Sequence, residues 1–204
     1  MDTQFEAIKG VYSDFHRSLL KKGRLPIKDT GVGFWNPSDP DELYSIFRRI
    51  GLGEKSAFLD LGSGDGIAVM IASLFTKATG IEHDPWLHEV AGDIQAKLAA
   101  KGVAGPVQFL NQDFMDHPLS GYDVVYISPD KPLWRGVEQK VKKELSGILV
   151  VHGHHFHPRD LEEVRTFMVN GNRVTAYRNK EPKQSNQKQD NQKQGRSFGH
   201  QTKR

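Results

Sequence analysis

Gly62, Gly64 and Gly66 alternate through Asp60-Leu61-Gly62-Ser63-Gly64-Asp65-Gly66, between one apolar run that ends at Leu61 and another that begins at Ile67. Glycine tolerates positive φ and lets backbone approach a ligand closely, while a helix start presents N–H groups without partners. A ligand carrying a carboxylate suits such a place. The dinucleotide fingerprint G-x-G-x-x-G needs its third glycine one residue later, where this chain has Ile67. That spacing disfavours a nicotinamide dehydrogenase. Asp60 stands two positions before the first glycine; it holds the loop or touches the ligand, and residue type leaves both open.

Other acids close other apolar runs. Glu82 ends the run that starts at Lys77, sixteen residues past Gly66. A carboxylate there can accept both hydroxyls of a ribose. Asp113-Phe114 follows a third run, and Ser128-Pro129-Asp130 a fourth. His152-Gly153-His154-His155-Phe156-His157 follows a fifth. Imidazoles are common zinc ligands, but on a strand His152 and His154 face one side and His155 and His157 the other. The reading is a cluster at the sheet end lining a cleft, with one histidine as a candidate general base, and no metal.

These residues need elements that bring them to one edge. Residues 57–61, 77–82, 107–111, 122–128 and 147–152 read as strands; residues 66–75 and 132–145 read as helices. Asp84-Pro85 starts another helix, whose apolar face is Leu87, Val90, Ala91, Ile94 and Leu98. Asp39 reads as an N-cap with Pro40 at N1 and Glu42 at N3, ahead of Leu43, Ile46, Phe47 and Ile50. Phe5, Ile8, Tyr12, Phe15 and Leu19 mark an amphipathic helix, and residues 21–33 a polar, glycine-broken connector. Asn170-Gly171 between residues 163–169 and 173–178 signals a β-hairpin. Alternating continuous apolar strands and helices imply an α/β fold: a doubly wound, mostly parallel, seven-stranded Rossmann-like sheet ending in an antiparallel hairpin. Ligands in such sheets bind at the carboxyl ends of the strands, where the glycine loop lies.

Strand, then Asp-x-Gly-x-Gly-x-Gly, then helix resembles the first motif of the class I methyltransferases, whose ligand is S-adenosylmethionine. The resemblance covers roughly residues 39–178. It implies cofactor contacts from Asp60, Gly62, Ser63, Gly64 and Gly66, a ribose grip by Glu82, and adenine contacts from Asp113 and Phe114. Residues 123–128 match the family's fourth-strand motif, whose end faces the methyl group, so Ser128, Pro129 and Asp130 are the catalytic candidates. More narrowly, Asp60 to Gly66 with Gly80-Ile81-Glu82 and Pro85-Trp86-Leu87 is similar to archaeal protein-lysine N-methyltransferases and to mitochondrial ones acting on the ATP synthase c subunit. Lys140 to Leu145 followed by Val150-Val151-His152 is similar to the same group's end region. The chain departs from that group at Gly33-Phe34-Trp35-Asn36-Pro37, where its members carry a Pro-x-x-Pro segment. Ser128-Pro129-Asp130-Lys131 also departs from Asn/Asp-Pro-Pro-Tyr/Phe, which argues against adenine and glutamine as acceptors.

A lysine acceptor attacks only as the neutral amine, and its reference pKa is about 10.4. The site must therefore desolvate the ammonium or remove its proton. Asp130 could do either, or residues 128–130 could simply cap the next helix. Trp35 could wall an alkylammonium by cation–π contact, or serve as a core or lid residue.

Composition sets the outer limits. The 204 residues suit one domain with terminal extensions: residues 1–37 as helix and connector, 38–178 as the cofactor-binding domain, and 179–204 as a disordered basic tail. The chain lacks cysteine, which excludes thiolate metal sites and cysteine nucleophiles. Residues 178–204 carry eight Lys/Arg against Glu181 and Asp190, so the net charge of +3 leaves −3 on the first 177 residues. No run is apolar enough to span a membrane, and no secretory signal opens the chain; the expected location is cytoplasmic. The expected partner is a protein substrate. RNA is the alternative, with the tail supplying phosphate contacts. A cofactor-binding module without activity is a third reading.

Overall fold

Runs that are apolar at every position must be covered on both faces, and the computed structural model of the chain, which describes residues 3–103, 105–130, 132 and 136–180, covers them with helices. The seven-stranded sheet has the order β5-β4-β3-β6-β7-β9-β8. It consists of β3 (Ala57–Leu61), β4 (Lys77–Glu82), β5 (Val107–Asn111), β6 (Val124–Ile127), β7 (Ile148–His152), β8 (Leu161–Val169) and β9 (Asn172–Asn179). The first five of these pair in parallel, and β9 inserts antiparallel between β7 and β8. The hairpin turn is Asn170-Gly171, both at positive φ (48° and 85°) as that turn requires.

Side chains alternate between two cores. Phe58, Ala78, Val124, Tyr126 and Val150 face a layer of α1 (Thr3–Lys21), α2 (Pro40–Arg49), α3 (Ile67–Ala72) and α4 (Pro85–Ala99). Leu59, Leu61, Val125, Ile127, Leu149 and Val151 face the other way, toward α5 (Val137–Glu144) and the loop residue Leu119. The α1 face is the expected one: Phe5, Ile8, Tyr12 and Leu19 are buried, and Phe15 packs on Trp35.

Several boundaries move, each for a physical reason. Asp39 caps α2 by accepting from the N–H groups of Asp41 and Glu42, but Glu42 turns into the core instead of closing a capping box. The helix after the glycine loop ends at Ala72 rather than at residue 75. Its last turn tightens through Leu74 N–H to Ile71 and Phe75 N–H to Ala72, and Ser73 Oγ donates to the Met70 carbonyl. α5 begins at Val137 because Gly136 sits in the left-handed region at φ 84°. The connector over residues 21–33 is not featureless: β1 (Lys28–Asp29) and β2 (Phe34–Trp35) pair antiparallel as a small flap. The basic tail lies outside the described residues from position 181 onward. Among the described residues no helix is long and apolar enough to cross a membrane.

Two glycines should respond oppositely to alanine. Gly92 is exposed within α4, and a Cβ added there would meet nothing within 4 Å, so Gly92→Ala should stabilise the protein by about 0.5–1 kcal/mol in urea denaturation. A Cβ on Gly147 would lie 2.1 Å from the Asp123 carbonyl oxygen. Gly147→Ala should therefore cost about 1–3 kcal/mol or more, and a neutral result would contradict this packing at the start of β7.

Candidate functional site

The loop between β3 and α3 is tied to the strand beside it. Gly62 N–H and Ser63 N–H both donate to the Ile81 carbonyl, each at 2.9 Å. Gly64 N–H donates to Glu82 Oε2 at 2.8 Å, and Asp84 N–H to Glu82 Oε1 at 2.8 Å. One buried carboxylate thus joins the glycine loop to the β4–α4 turn. Each of its oxygens retains a lone pair, the arrangement two vicinal hydroxyls need. Asn111 Nδ2 donates to the carbonyls of Glu82 and His83 and holds the strand tip in place.

These elements enclose a cleft of about 290 Å³ at the carboxyl ends of the parallel strands. Asp60, Gly62, Ser63, Gly64, Glu82, Asp113, Phe114, Ser128, Pro129 and Asp130 all line it. The cleft therefore brings together the cofactor-binding and catalytic candidates except Gly66, and leaves out the His152 to His157 cluster. A Cβ at Gly66 would meet the Phe109 ring at 2.6 Å and Ala91 at 3.1 Å, so that glycine serves the packing of α3 on β5 and α4. Gly62, at φ 78°, has open space in front of it, whereas a Cβ on Gly64 would strike Trp35 at 2.6 Å. Ser63 Oγ is buried without a hydrogen-bond partner among the described residues.

Asp60 is buried and makes no hydrogen bond to a described residue, so it does not hold the loop. Burial first, then Glu82 and Asp65, raise its carboxyl well above the ordinary aspartate range. Loop anchoring falls to Asp65 instead. It accepts from Ile67 N–H at 3.3 Å and meets His16 Nε2 at 3.0 Å, while Tyr12 Oη donates to its carbonyl at 3.1 Å. On the opposite lip Asp113 accepts from Met115 N–H, capping the short turn that presents Phe114 and Met115 to the cleft.

The flap closes the top. Trp35 is buried against Gly64 and packs edge-on to Trp86, with centroids 5.9 Å apart. It is a lid residue in this arrangement, and Thr30 to Asn36 line the cleft with it. Two carboxylates hold the flap. Lys28 pairs with Asp84 and lies over the Trp86 ring; burial alone would raise the Asp84 carboxyl, but Lys28 and the Leu87 N–H bring it below its ordinary value. Asp130 Oδ2 accepts from Phe34 N–H at 2.9 Å. The described lining residues carry five carboxylates, Asp60, Asp65, Glu82, Asp113 and Asp130, and no Lys or Arg.

The histidines between positions 152 and 157 do not line the cleft. His152 points into the core, His154 and His155 are exposed, and His157 reaches Tyr177 Oη at 3.1 Å. The alternation along β7 ends at Gly153 (φ 116°), which spreads them apart. Among the described residues no group of three or more His, Cys, Asp or Glu is arranged to hold a metal ion. Sequence reasoning missed Glu42, His16 and the flap's backbone contacts. Glu42 carried a signal: it lies four residues before Ile46, on the apolar stripe of α2.

No family model matches the chain, and no curated protein matches it by sequence. Among solved structures, an RNA methyltransferase from Salinibacter ruber, in complex with S-adenosyl-L-homocysteine, is similar at 26% identity and a TM-score of 0.57, covering 73% of this chain and 97% of that one. The mitomycin 7-O-methyltransferase MmcR is similar at 17% identity and a TM-score of 0.55, over 69% of this chain and 53% of that one. A tRNA (uracil-54, C5)-methyltransferase from Pyrococcus abyssi, with S-adenosyl-L-homocysteine, shows 14% identity and a TM-score of 0.55 over 74% of this chain and 43% of that one. The fold is that of the class I methyltransferases. Within that fold, the glycine loop, the acid ending β4 and the lip after β5 lie around one cleft.

Asp60 should carry a stability penalty. Its folded carboxyl binds a proton more tightly than the unfolded one, so stability falls as pH rises from the unfolded value, near 3.8, through the raised folded value. Asp60→Asn should raise Tm at pH 7.5, with the gain shrinking on acidification and vanishing near pH 4. Calorimetry across that range checks it; an unchanged Tm at pH 7.5 would contradict the burial argument.

Proposed function

We propose that this chain is an S-adenosylmethionine-dependent methyltransferase that methylates the amino group of lysine in a protein. The observation that carries the cofactor half is the pair of acids at the cleft floor. Glu82 keeps a free lone pair on each oxygen, and Asp60 is a buried carboxylate without a donor among the described residues. A ligand with two vicinal hydroxyls and a positive charge fits that pair; the five carboxylates of the described lining disfavour one with two phosphates. When bound, the cofactor supplies an electrophilic methyl on a sulfonium. Gly62 and Gly64 line its approach, Glu82 takes the ribose hydroxyls, and Asp113 and Phe114 form the adenine lip. Trp35 and the flap exclude water from above. The likeness to the Salinibacter protein supports the same reading.

The acceptor half rests on charge. Ser128, Pro129 and Asp130 follow β6 at the mouth, opposite Phe34. Asp130 offers a carboxylate to an incoming ammonium, and no Lys or Arg among the described lining residues repels one. The amine must then lose a proton to attack, and catalysis beyond that is alignment in line with the leaving sulfur. RNA is the second reading. It is favoured by what the Salinibacter protein is named for and by the basic residues from position 178 onward.

A labelled-methyl assay on host extract, divided into protein, RNA and small-molecule fractions, tests the acceptor. Label in protein that survives as methyl-lysine after hydrolysis is expected; label in RNA alone would move the assignment to the second reading. Glu82→Gln should weaken cofactor binding by about tenfold or more in calorimetry, since it loses one acceptor shared by the loop and the ribose. Undiminished affinity would count against the ribose role.

A further inference from the structure

Neighbouring strands set out the cleft in the order β5, β4, β3, β6. The lip of Asp113 and Phe114 follows β5, Glu82 ends β4, the glycine loop follows β3, and Ser128 to Asp130 follow β6. An adenosine with its base at the lip and its ribose on Glu82 therefore sends its 5′ substituent across the glycine loop. In S-adenosylmethionine that substituent is the sulfonium with its methyl and an amino-acid tail. The tail ends in an ammonium and a carboxylate. The five carboxylates of the described lining suit the ammonium, whereas the tail's own carboxylate needs hydrogen-bond donors.

Trp35 of β2 lies over that loop. The three heavy atoms nearest to a Cβ added at Gly64 all belong to its ring: Cδ1 at 2.6 Å, Nε1 at 3.2 Å and Cγ at 3.7 Å. The edge of the indole that carries the N–H therefore faces the glycine loop. Trp35 is buried and lines the cleft, and its N–H makes no hydrogen bond to a described residue. A buried indole N–H usually has a partner. The ring is held in place: Trp86 packs on it edge-on, and the rings of His16 and Phe15 have centroids 6.2 Å and 6.3 Å away. Lys28 with Asp84, and Phe34 N–H with Asp130, tie down the flap that carries it. The donor is thus oriented before any ligand arrives. Nearby hydroxyls are less available. Thr30 Oγ1 donates to the Gly33 carbonyl at 2.8 Å, and Ser63 Oγ is buried against Gly80, 2.7 Å from where a Cβ on that glycine would stand.

We propose that Trp35 is a specificity-determining residue of the cofactor site: its indole N–H donates to the carboxylate of the amino-acid tail of S-adenosylmethionine. The proposal rests on the reading that the cleft binds that cofactor. An indole N–H donates and does not accept, so it selects the carboxylate over the ammonium at the end of the same tail. A hydrogen bond to a charged acceptor is the strong kind. The flap then does more than exclude water, because the lid and the ligand's tail hold one another. A ligand without the carboxylate leaves the donor of the lid unmet.

Calorimetry on the full chain with S-adenosylmethionine and with its decarboxylated form isolates this contact. The two probes share adenosine, sulfonium and ammonium and differ only in the carboxylate. Wild-type protein should bind S-adenosylmethionine more tightly. Trp35→Phe keeps an aromatic ring against Trp86 and removes the N–H. It should weaken S-adenosylmethionine by about tenfold, the scale of one hydrogen bond to a charged group, and leave the decarboxylated form within about twofold. An equal or larger loss for the decarboxylated form would overturn the proposal, because lid packing would then explain it. No loss for either probe would overturn it too. Wild-type protein gives a second readout that needs no variant. In ¹H–¹⁵N spectra the assigned Trp35 indole proton should move downfield with S-adenosylmethionine and stay near its ligand-free position with the decarboxylated form. The same movement with both probes would overturn the proposal. Wild-type protein that binds neither probe would instead reject the cofactor reading itself.

Discussion

The Glu82 carboxylate is the constraint on which the rest of the site depends. It accepts the Gly64 N–H with one oxygen and the Asp84 N–H with the other, and so sets the distance between two turns that each lead into a helix. α3 begins at Ile67, just past one turn, and α4 at Pro85, immediately after the other. Both bonds are buried and charge-assisted, which is the strong kind. Asp84 extends the constraint outward. Its Oδ1 caps α4 through Leu87 N–H, and its Oδ2 takes Lys28 from the flap. A chain of carboxylates thus links the strand tip, two helix starts and the lid. One ligand group contacting Glu82 would be felt by all of them.

The cleft collects negative charge in a protein whose overall charge is positive. The excess of Lys and Arg lies from position 178 onward, while the cleft's described lining is acidic. Burying Asp60 beside Glu82 and Asp65 raises its pKa and costs folding free energy, the pattern that marks functional sites more often than structural ones. A structural carboxylate would have found a donor. Asp65, in the same loop, shows what that looks like, with Ile67 N–H and His16 on its two oxygens.

Much of the fold was legible because it follows from periodicity. The strands from Ala57, Val124 and Ile148 are apolar at nearly every position, which only a sheet covered on both faces accommodates. Caps were legible too, since Asp39 and Asp84 each precede a proline at N1. The flap was not. Its strands are two residues long, and its stability comes from Lys28, Trp35 and Asp130, whose partners lie 56, 29 and 96 residues away in the chain. Glu42 escapes local reasoning for a similar cause. A glutamate at N3 satisfies a local rule, but His152 and Asn172, 110 and 130 residues distant, offer a buried partnership that local rules do not contain.

The sequence by itself determined the sheet and the types of residue that surround its open edge. Glycine spacing, strand-end acids and the Asn-Gly turn are local chemistry, and each element forms where its own residues dictate. The tertiary structure alone decided which of those acids are paired. Asp60, Asp65, Glu82 and Asp130 are equivalent as letters, yet one lacks a donor among the described residues, one anchors α1, one bridges two turns and one holds the flap. Charge state and role depend on which donors lie within about 3 Å, and such neighbours are set by strand register and helix packing across the whole chain.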